Sequence, residues 1–542
     1  MILITIIIHL LVSILNVYTA FNCTIFQFDA DHIFLNYTSK DDFYLYIDDT
    51  IEERLLFPMT VSDLAGMVCT ALSIILSVGG GIGPGAILVA VNIIVMDFPP
   101  KVAIPLSIVT NLGVSTVGSI MNAKRKHPLS NRPIIDWDLV LIMEPVILLG
   151  AIIGTYMNKV IQGKVIIVLL VLLLSVIAHS TLKKARRMHH AEELYIKRVQ
   201  WAKQKKMNQQ SNPEAPVYPA SYENKLEEAD PPFLPKIHSI SSSATQERNF
   251  LNDRENNMKR EDDGSQSSFS RSFNRFIVLR KEDADSVKSS LIEEEAEYLP
   301  QNKISYIIAM FIFVIGMNTL KGGAAFESPF GIYCGSIGFW FFEFLNACWL
   351  IGCSFLAGRY LLRRHAIKEA VGYDYVRGDI RWDFKNIVIY PLSCIFFGIL
   401  SGMFGVGVSV FLAPWLVGIG VNPAVASATC LCLNWFTALA STSSYVVLGS
   451  IIPDREYAYM LFVLGVVSSF LGRKLVNRGK STTKIENNKR LERHSYMAYS
   501  MGVVVFISAL SMTVEALVDV MNHSFEQDEF DGICEVERYF SY

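Results

Sequence analysis

A run of some twenty apolar residues must be buried entirely or placed in a bilayer, whose hydrocarbon core of ~30 Å takes roughly 20 residues of helix. This sequence carries such runs repeatedly, near 60–78, 84–97, 102–121, 138–158, 164–182, 303–321, 334–360, 386–403, 407–420, 423–448, 455–472 and 496–519. Two of the twelve, 84–97 and 407–420, are short. Short segments at membrane depth are half-helices or lean on their neighbours, because lipid offers no partner to a free backbone group. Charged residues make up only 18% of the chain, against about a quarter in soluble domains. The expected class is an all-α polytopic membrane protein of about twelve spans, including short or broken helices.

The 48 basic and 51 acidic residues nearly cancel, so only the distribution of charge carries information. Basic residues collect in cytoplasmic connections, and four stretches qualify: Lys124 to His127, Lys183 to Arg187, Arg363 to Lys385 and Arg473 to Arg493. All four fall on the cytoplasmic side if the N-terminus lies outside. Residues 1–20 then read as a signal peptide, with a signal anchor as the alternative since no Lys or Arg precedes the apolar core. The remaining layout is an extracytoplasmic segment 21–59, a first membrane repeat 60–182, a mostly disordered cytoplasmic insert 183–302, two linking spans 303–360, a cytoplasmic loop 361–385, a second membrane repeat 386–519 and an acidic extracytoplasmic tail 520–542. Glycosylation acceptors at Asn22, Asn36 and Asn522 lie outside the spans. They point to the plasma membrane or an endomembrane compartment, with both termini extracytoplasmic. Nine cysteines form no CxxC pair and no zinc spacing. Cys23 and Cys534 both fall on the oxidising side, where a disulfide between them is open.

The stretch SVGGGIGPG, residues 77–85, interrupts an apolar region with five glycines and a proline, the weakest helix formers. A related break, SGMFGVGV, lies at 401–408. Pro100-Lys101-Val102-Ala103 follows the first and Pro423-Ala424-Val425-Ala426 the second, 19 residues after Gly81 and 18 after Gly405. Each break sits in a five-span unit, and the units enter the membrane from opposite sides. Two inverted-topology five-span repeats with interrupted helices at matching positions point to a secondary transporter, with its site near the midplane. A break exposes unpaired N–H groups and the positive end of the following helix, which suits an anion.

At these residues the chain resembles the TauE/SafE sulfite-exporter family of membrane transporters, in its eukaryotic type with a long central cytoplasmic insert. The likeness rests on SVGGGIGPGAILV with FPPKVAIPLS, on KRKHPLSNRPIIDWDLVLIMEPVILLGAIIG, and on GILSGMFGVGVSVFLAPWLVGIGVNPAVASAT. It covers both membrane halves but not the insert or the termini. Val408 and Ser409 stand where the family usually carries glycine. The resemblance implies alternating-access transport of sulfite or small organosulfur anions such as sulfonates, and no cofactor.

The candidate substrate contacts are the backbone at Gly79, Gly80, Gly81, Gly83, Gly405 and Gly407, then Ser107, Thr110 and Asn111 in the first repeat and Ser427, Thr429 and Asn434 in the second. Ser and Thr inside spans have the alternative of bonding their own helix carbonyls. Glu144 is an ionisable group inside a span and the candidate for proton coupling; Glu343 lies outside the repeats, and Glu515 is close to the headgroups. The expected partners are a small anion, the bilayer and protons as coupling ion, with no metal and no nucleic acid. A passive anion channel, or a receptor or scaffold signalling through the insert, are the competing classes. No nucleophile–base pair or metal cluster suggests an enzyme.

Overall fold

The computed structural model describes residues 58–80, 83–128, 130–211, 281–326, 328–376, 378–451, 454–482 and part of 499–514. The signal segment, the three glycosylation acceptors, Cys23, Cys534, Glu515, Gly81 and the acidic tail lie outside the described residues.

The elements are all helices: α1 (Val61–Gly80), α2 (Gly85–Ile94), α3 (Pro100–Ala123), α4 (Trp137–Val160), α5 (Gly163–Ser211), α6 (Lys281–Ala296), α7 (Gln301–Lys321), α8 (Ile337–Ala370), α9 (Phe384–Phe404), α10 (Ser409–Gly418), α11 (Pro423–Val447) and α12 (Arg455–Thr482). Among the described residues, nine are long and apolar enough to cross a membrane, while α2 and α10 have ten residues each. Ten residues of helix span about 15 Å, half of a ~30 Å core, so neither short helix crosses alone. The twelfth expected span lies mostly outside the described residues, although those described between 499 and 514 are helical.

Local chemistry sets the ends. Pro100 and Pro423 open α3 and α11 at the first helical position, where proline loses no hydrogen bond. The Asp136 side chain caps α4 by accepting from Asp138 N and Leu139 N, and Asn422 caps α11 by accepting from Ala424 N. Gly405, at φ +66°, ends α9 in the left-handed region that favours glycine. The basic turn folds back on itself, with His127 N donating to Arg132 O and Ile134 N to Arg125 O.

The two breaks match residue for residue. Helix α1 ends at Gly80 and α2 begins at Gly85; α9 ends at Phe404 and α10 begins at Ser409. The packing repeats this parallel: α4 packs on α9 as α1 does on α12, α3 on α12 as α11 does on α4, and α3 meets α11 at the centre. Among α1–α4 and α9–α12, exchanging the halves returns the same neighbours, whereas the contacts of α7 and α8 have no counterpart. Helices α3, α4 and α11 are the most enclosed, whereas α8 turns Ile337, Phe341, Phe344, Ile351 and Phe355 outward, an apolar surface suited to lipid.

The α4–α9 contact is the closest. A Cβ at Gly150 or Gly154 would lie 2.3 Å from Ile395 O or Ile399 O, and one at Gly398 or Gly402 would lie 2.3 or 2.2 Å from Ile147 O or Ala151 O. Glycines four residues apart on both helices let the backbones touch, the usual means of helix association in lipid, where apolar burial drives nothing.

Part of the segment expected to be mostly disordered is helical: α5 continues its span to Ser211, and α6 occupies 281–296. Helix α6 is docked by charge. Lys368 pairs with Glu295 at 2.6 Å, Arg364 with Glu294 at 2.7 Å, and Tyr373 donates to Glu295 at 2.7 Å. Arg132 pairs with Asp379, and Lys303 with Asp138, so the basic turn, α6 and the loop after α8 form one charged layer. Cys334, between α7 and α8, is disulfide-bonded.

Candidate functional site at the two helix breaks

The breaks face each other. Gly83 N donates to Ser409 Oγ at 3.2 Å, and Ser107 Oγ donates to Ile104 O at 2.7 Å and Gly405 O at 3.2 Å. At Gly407, φ is +82°, and an added Cβ would fall 2.2 Å from Asn111 Nδ2 and 2.8 Å from Asn434 Oδ1. Only glycine fits there, both for its backbone and for its space. Gly83 is confined by side chains alone, with Ser409 Oγ at 2.8 Å and Asn111 Oδ1 at 3.3 Å from the point its Cβ would occupy. Six of the expected residues therefore meet: Gly83, Ser107, Asn111, Gly405, Gly407 and Asn434.

The others do different work. Gly79 and Gly80 belong to the last turn of α1. Thr110 bonds its own helix at Leu106 O, 2.8 Å away, the alternative open to any hydroxyl in a span. Thr429 accepts from Asp136 N at 3.0 Å and so ties α11 to the start of α4. Ser427 stands one turn before α11 reaches its central stretch and is only half-buried.

Two polar atoms are left over. Asn111 Oδ1 and Asn434 Nδ2 are buried and have no hydrogen-bond partner, although each residue is 1% exposed. Buried polar groups are satisfied in the great majority of cases, and an orphan pair in one place marks a site for a ligand or water. Neither α2 nor α10 has a side-chain cap, and each starts beside this place with the positive end of its dipole. The pairing of Asn111 with Asn434 follows from the repeat, since each is the twelfth residue of a helix that begins with proline.

Around the site the scaffold is braced. Tyr445 Oη donates to Gly402 O at 2.8 Å, and Asn158 Nδ2 to Met403 O at 2.9 Å; with Ser107 on Gly405 O they satisfy three of the carbonyls at the end of α9. Glu144 is fully buried between α4 and α11, where Thr437 donates to Oε1 at 3.3 Å and Oε2 has no partner. Thr437 lies three residues beyond Asn434, which places the carboxyl about one turn of α11 from the site. Glu343 is committed elsewhere, to an ion pair with Lys321, which also donates to Tyr156 Oη at 2.6 Å. Ser409 and Thr437 were missed by the sequence reading. The signal for Ser409 was its register, since it matches Gly85 of the other break.

At the charged layer, burial, reinforced by Asp138 and Asp379 against Arg132 and the Leu139 N–H, pushes the Asp136 carboxyl up to about 6. No group of three or more metal-ligating side chains occurs among the described residues.

Buried asparagines at paired breaks in a helical membrane bundle define a polytopic membrane protein with a polar centre. Comparison with known proteins gives the family. The description "Sulfite exporter TauE/SafE" matches residues 64–218 and 296–485, more than half of the chain and both sides of the insert, and the protein belongs to that family. Similar relatives in Arabidopsis thaliana include Sulfite exporter TauE/SafE family protein 3, 22% identical over 84% of this chain and 79% of its own. Family protein 2 is 24% identical over 86% and 85%, and family protein 1 is 21% identical over 95% of both chains. No solved structure matches the chain.

Proposed function

We propose that the protein is a secondary transporter of small oxyanions, sulfite or organosulfur anions such as sulfonates, working by alternating access between two inverted repeats. The observation that carries this reading is the orphaned pair Asn111 Oδ1 and Asn434 Nδ2 between two uncapped helix starts. An oxyanion accepts from Asn434 Nδ2 and from backbone N–H groups, and one that retains a proton also donates to Asn111 Oδ1. Several features support inversion. The contacts among α1–α4 and α9–α12 survive exchange of the halves. Each break with its short helix adds an even number of crossings when it folds as a hairpin, and five long helices (α3, α4, α5, α7, α8) then separate the entries of α1 and α9. The Cys334 disulfide favours an oxidising side for the α7–α8 loop, opposite the basic turn. Glu144 is the proposed coupling carboxyl.

The test is uptake of radiolabelled sulfite into proteoliposomes, with and without a pH gradient. Wild type takes up sulfite saturably and faster with the gradient; Asn434→Ala lowers uptake about tenfold or more, the loss expected for roughly one charge-assisted hydrogen bond, and Glu144→Gln loses the response to the gradient. Wild-type uptake equal to that of empty liposomes, for sulfite, sulfonates and thiosulfate alike, would reject transport and bring forward the receptor reading.

A further inference from the structure

Arginine stays protonated at every physiological pH, so a guanidinium withdrawn from water demands a counter-charge. Arg473 on α12 is only partly exposed and has none among the described residues. Its Nε is buried without a hydrogen-bond partner, and the one ionisable neighbour that bears on it is another cation, Arg125. Arg125 is itself exposed and donates to Asn122 Oδ1 at 3.3 Å.

The position is specific. An added Cβ at Gly118 of α3 would lie 2.6 Å from Arg473 Nη2, 3.3 Å from its Cζ and 3.5 Å from Leu431 Cδ1. Ser119 Oγ donates to Leu431 O at 3.2 Å. The guanidinium thus lies where α3, α11 and α12 meet, in a space that exists because residue 118 has no side chain. Gly118 is seven residues from Asn111, about 10 Å along α3, and Leu431 is three from Asn434, about 4.5 Å along α11. The offset is toward the basic turn at 124–132.

We propose that Arg473, with Arg125 behind it, is an anion-binding site for an oxyanion on the basic-turn side of the central break, one step removed from Asn111 and Asn434. The substrate supplies the counter-charge that the described residues do not, and Gly118 holds the cation close to the route. The proposal rests on the transport reading above.

Sided transport in proteoliposomes tests it, with KM and Vmax for sulfite measured from each face of the full-length protein. Arg473→Gln is expected to raise KM from the basic-turn face about tenfold, about 1.4 kcal/mol, with Vmax and the opposite-face KM nearly unchanged. Arg473→Lys keeps the charge and most of the affinity. Gly118→Ala, which displaces the guanidinium without removing it, raises the same KM and keeps the test open if the glutamine variant does not fold. A basic-turn-face KM unchanged from wild type in both Arg473→Gln and Gly118→Ala, with only Vmax or melting temperature lowered, would show a packing residue and overturn the proposal while leaving transport intact. A wild type that moves no sulfite, sulfonate or thiosulfate would remove both readings together.

Discussion

At the scale of single residues, a polar side chain in a span is either bound to a named neighbour or, as at the two breaks, left with an unpaired buried atom. Thr110 and Thr429 show the first fate, one on its own helix and one on the start of α4; Asn111 and Asn434 show the second. Asp136 combines a structural task with a titration. Its folded carboxyl titrates at about 6, above the ordinary ~3.9 of an aspartate, so the folded state holds the proton more tightly. The stability this contributes is present below pH ~4 and is lost as pH rises through about 6. Asp136→Asn keeps a good helix cap and removes the titration. The variant's melting temperature is expected to gain on wild type steadily between pH 4 and 6 and to run parallel above pH 7. A constant difference across that range would show that Asp136 is not protonated more easily in the folded protein.

Among elements, the tightest constraint is the backbone contact of α4 with α9. Gly402→Val places a side chain 2.2 Å from Ala151 O, and backbone cannot yield as a flexible side chain does. Overpacking of this kind costs about 1–3 kcal/mol, expected as a clear drop in thermal unfolding temperature in detergent. Gly352→Val on α8, where nothing lies within 4 Å, is the control and should melt as wild type. Helix α6 is a second element whose place was not legible from sequence. Its acidic end sits in a segment too polar to fold by burial, and what docks it is Arg364, Lys368 and Tyr373 on a helix and loop some seventy residues away. Glu294→Gln together with Glu295→Gln leaves two buried cations unpaired, which is costlier than losing an exposed pair. Cleavage between 281 and 296 by a soluble protease should then accelerate about tenfold, an increase in the open population worth about 1.4 kcal/mol; an unchanged rate would mean that other contacts hold the helix.

For the whole molecule, the arrangement of charge and of the Cys334 disulfide predicts which loops share a side. Cysteines introduced for Asp374 and for Tyr333, both strongly exposed, should label from opposite faces of sealed cells, Tyr333→Cys from outside and Asp374→Cys only after permeabilisation. Labelling of both from one face would contradict the inverted arrangement. The sequence by itself determined the membrane class, most of the helices, the two breaks and their correspondence, because bilayer thickness and the weak helix propensity of glycine and proline act locally along the chain. Only the tertiary structure decided that the breaks meet, that Ser409 answers Gly83, that Thr429 serves a cap, and that Arg473 stands without a counter-ion among the described residues. Each of these joins residues hundreds of positions apart, and proximity of that kind is fixed by helix packing, which leaves no mark in local composition.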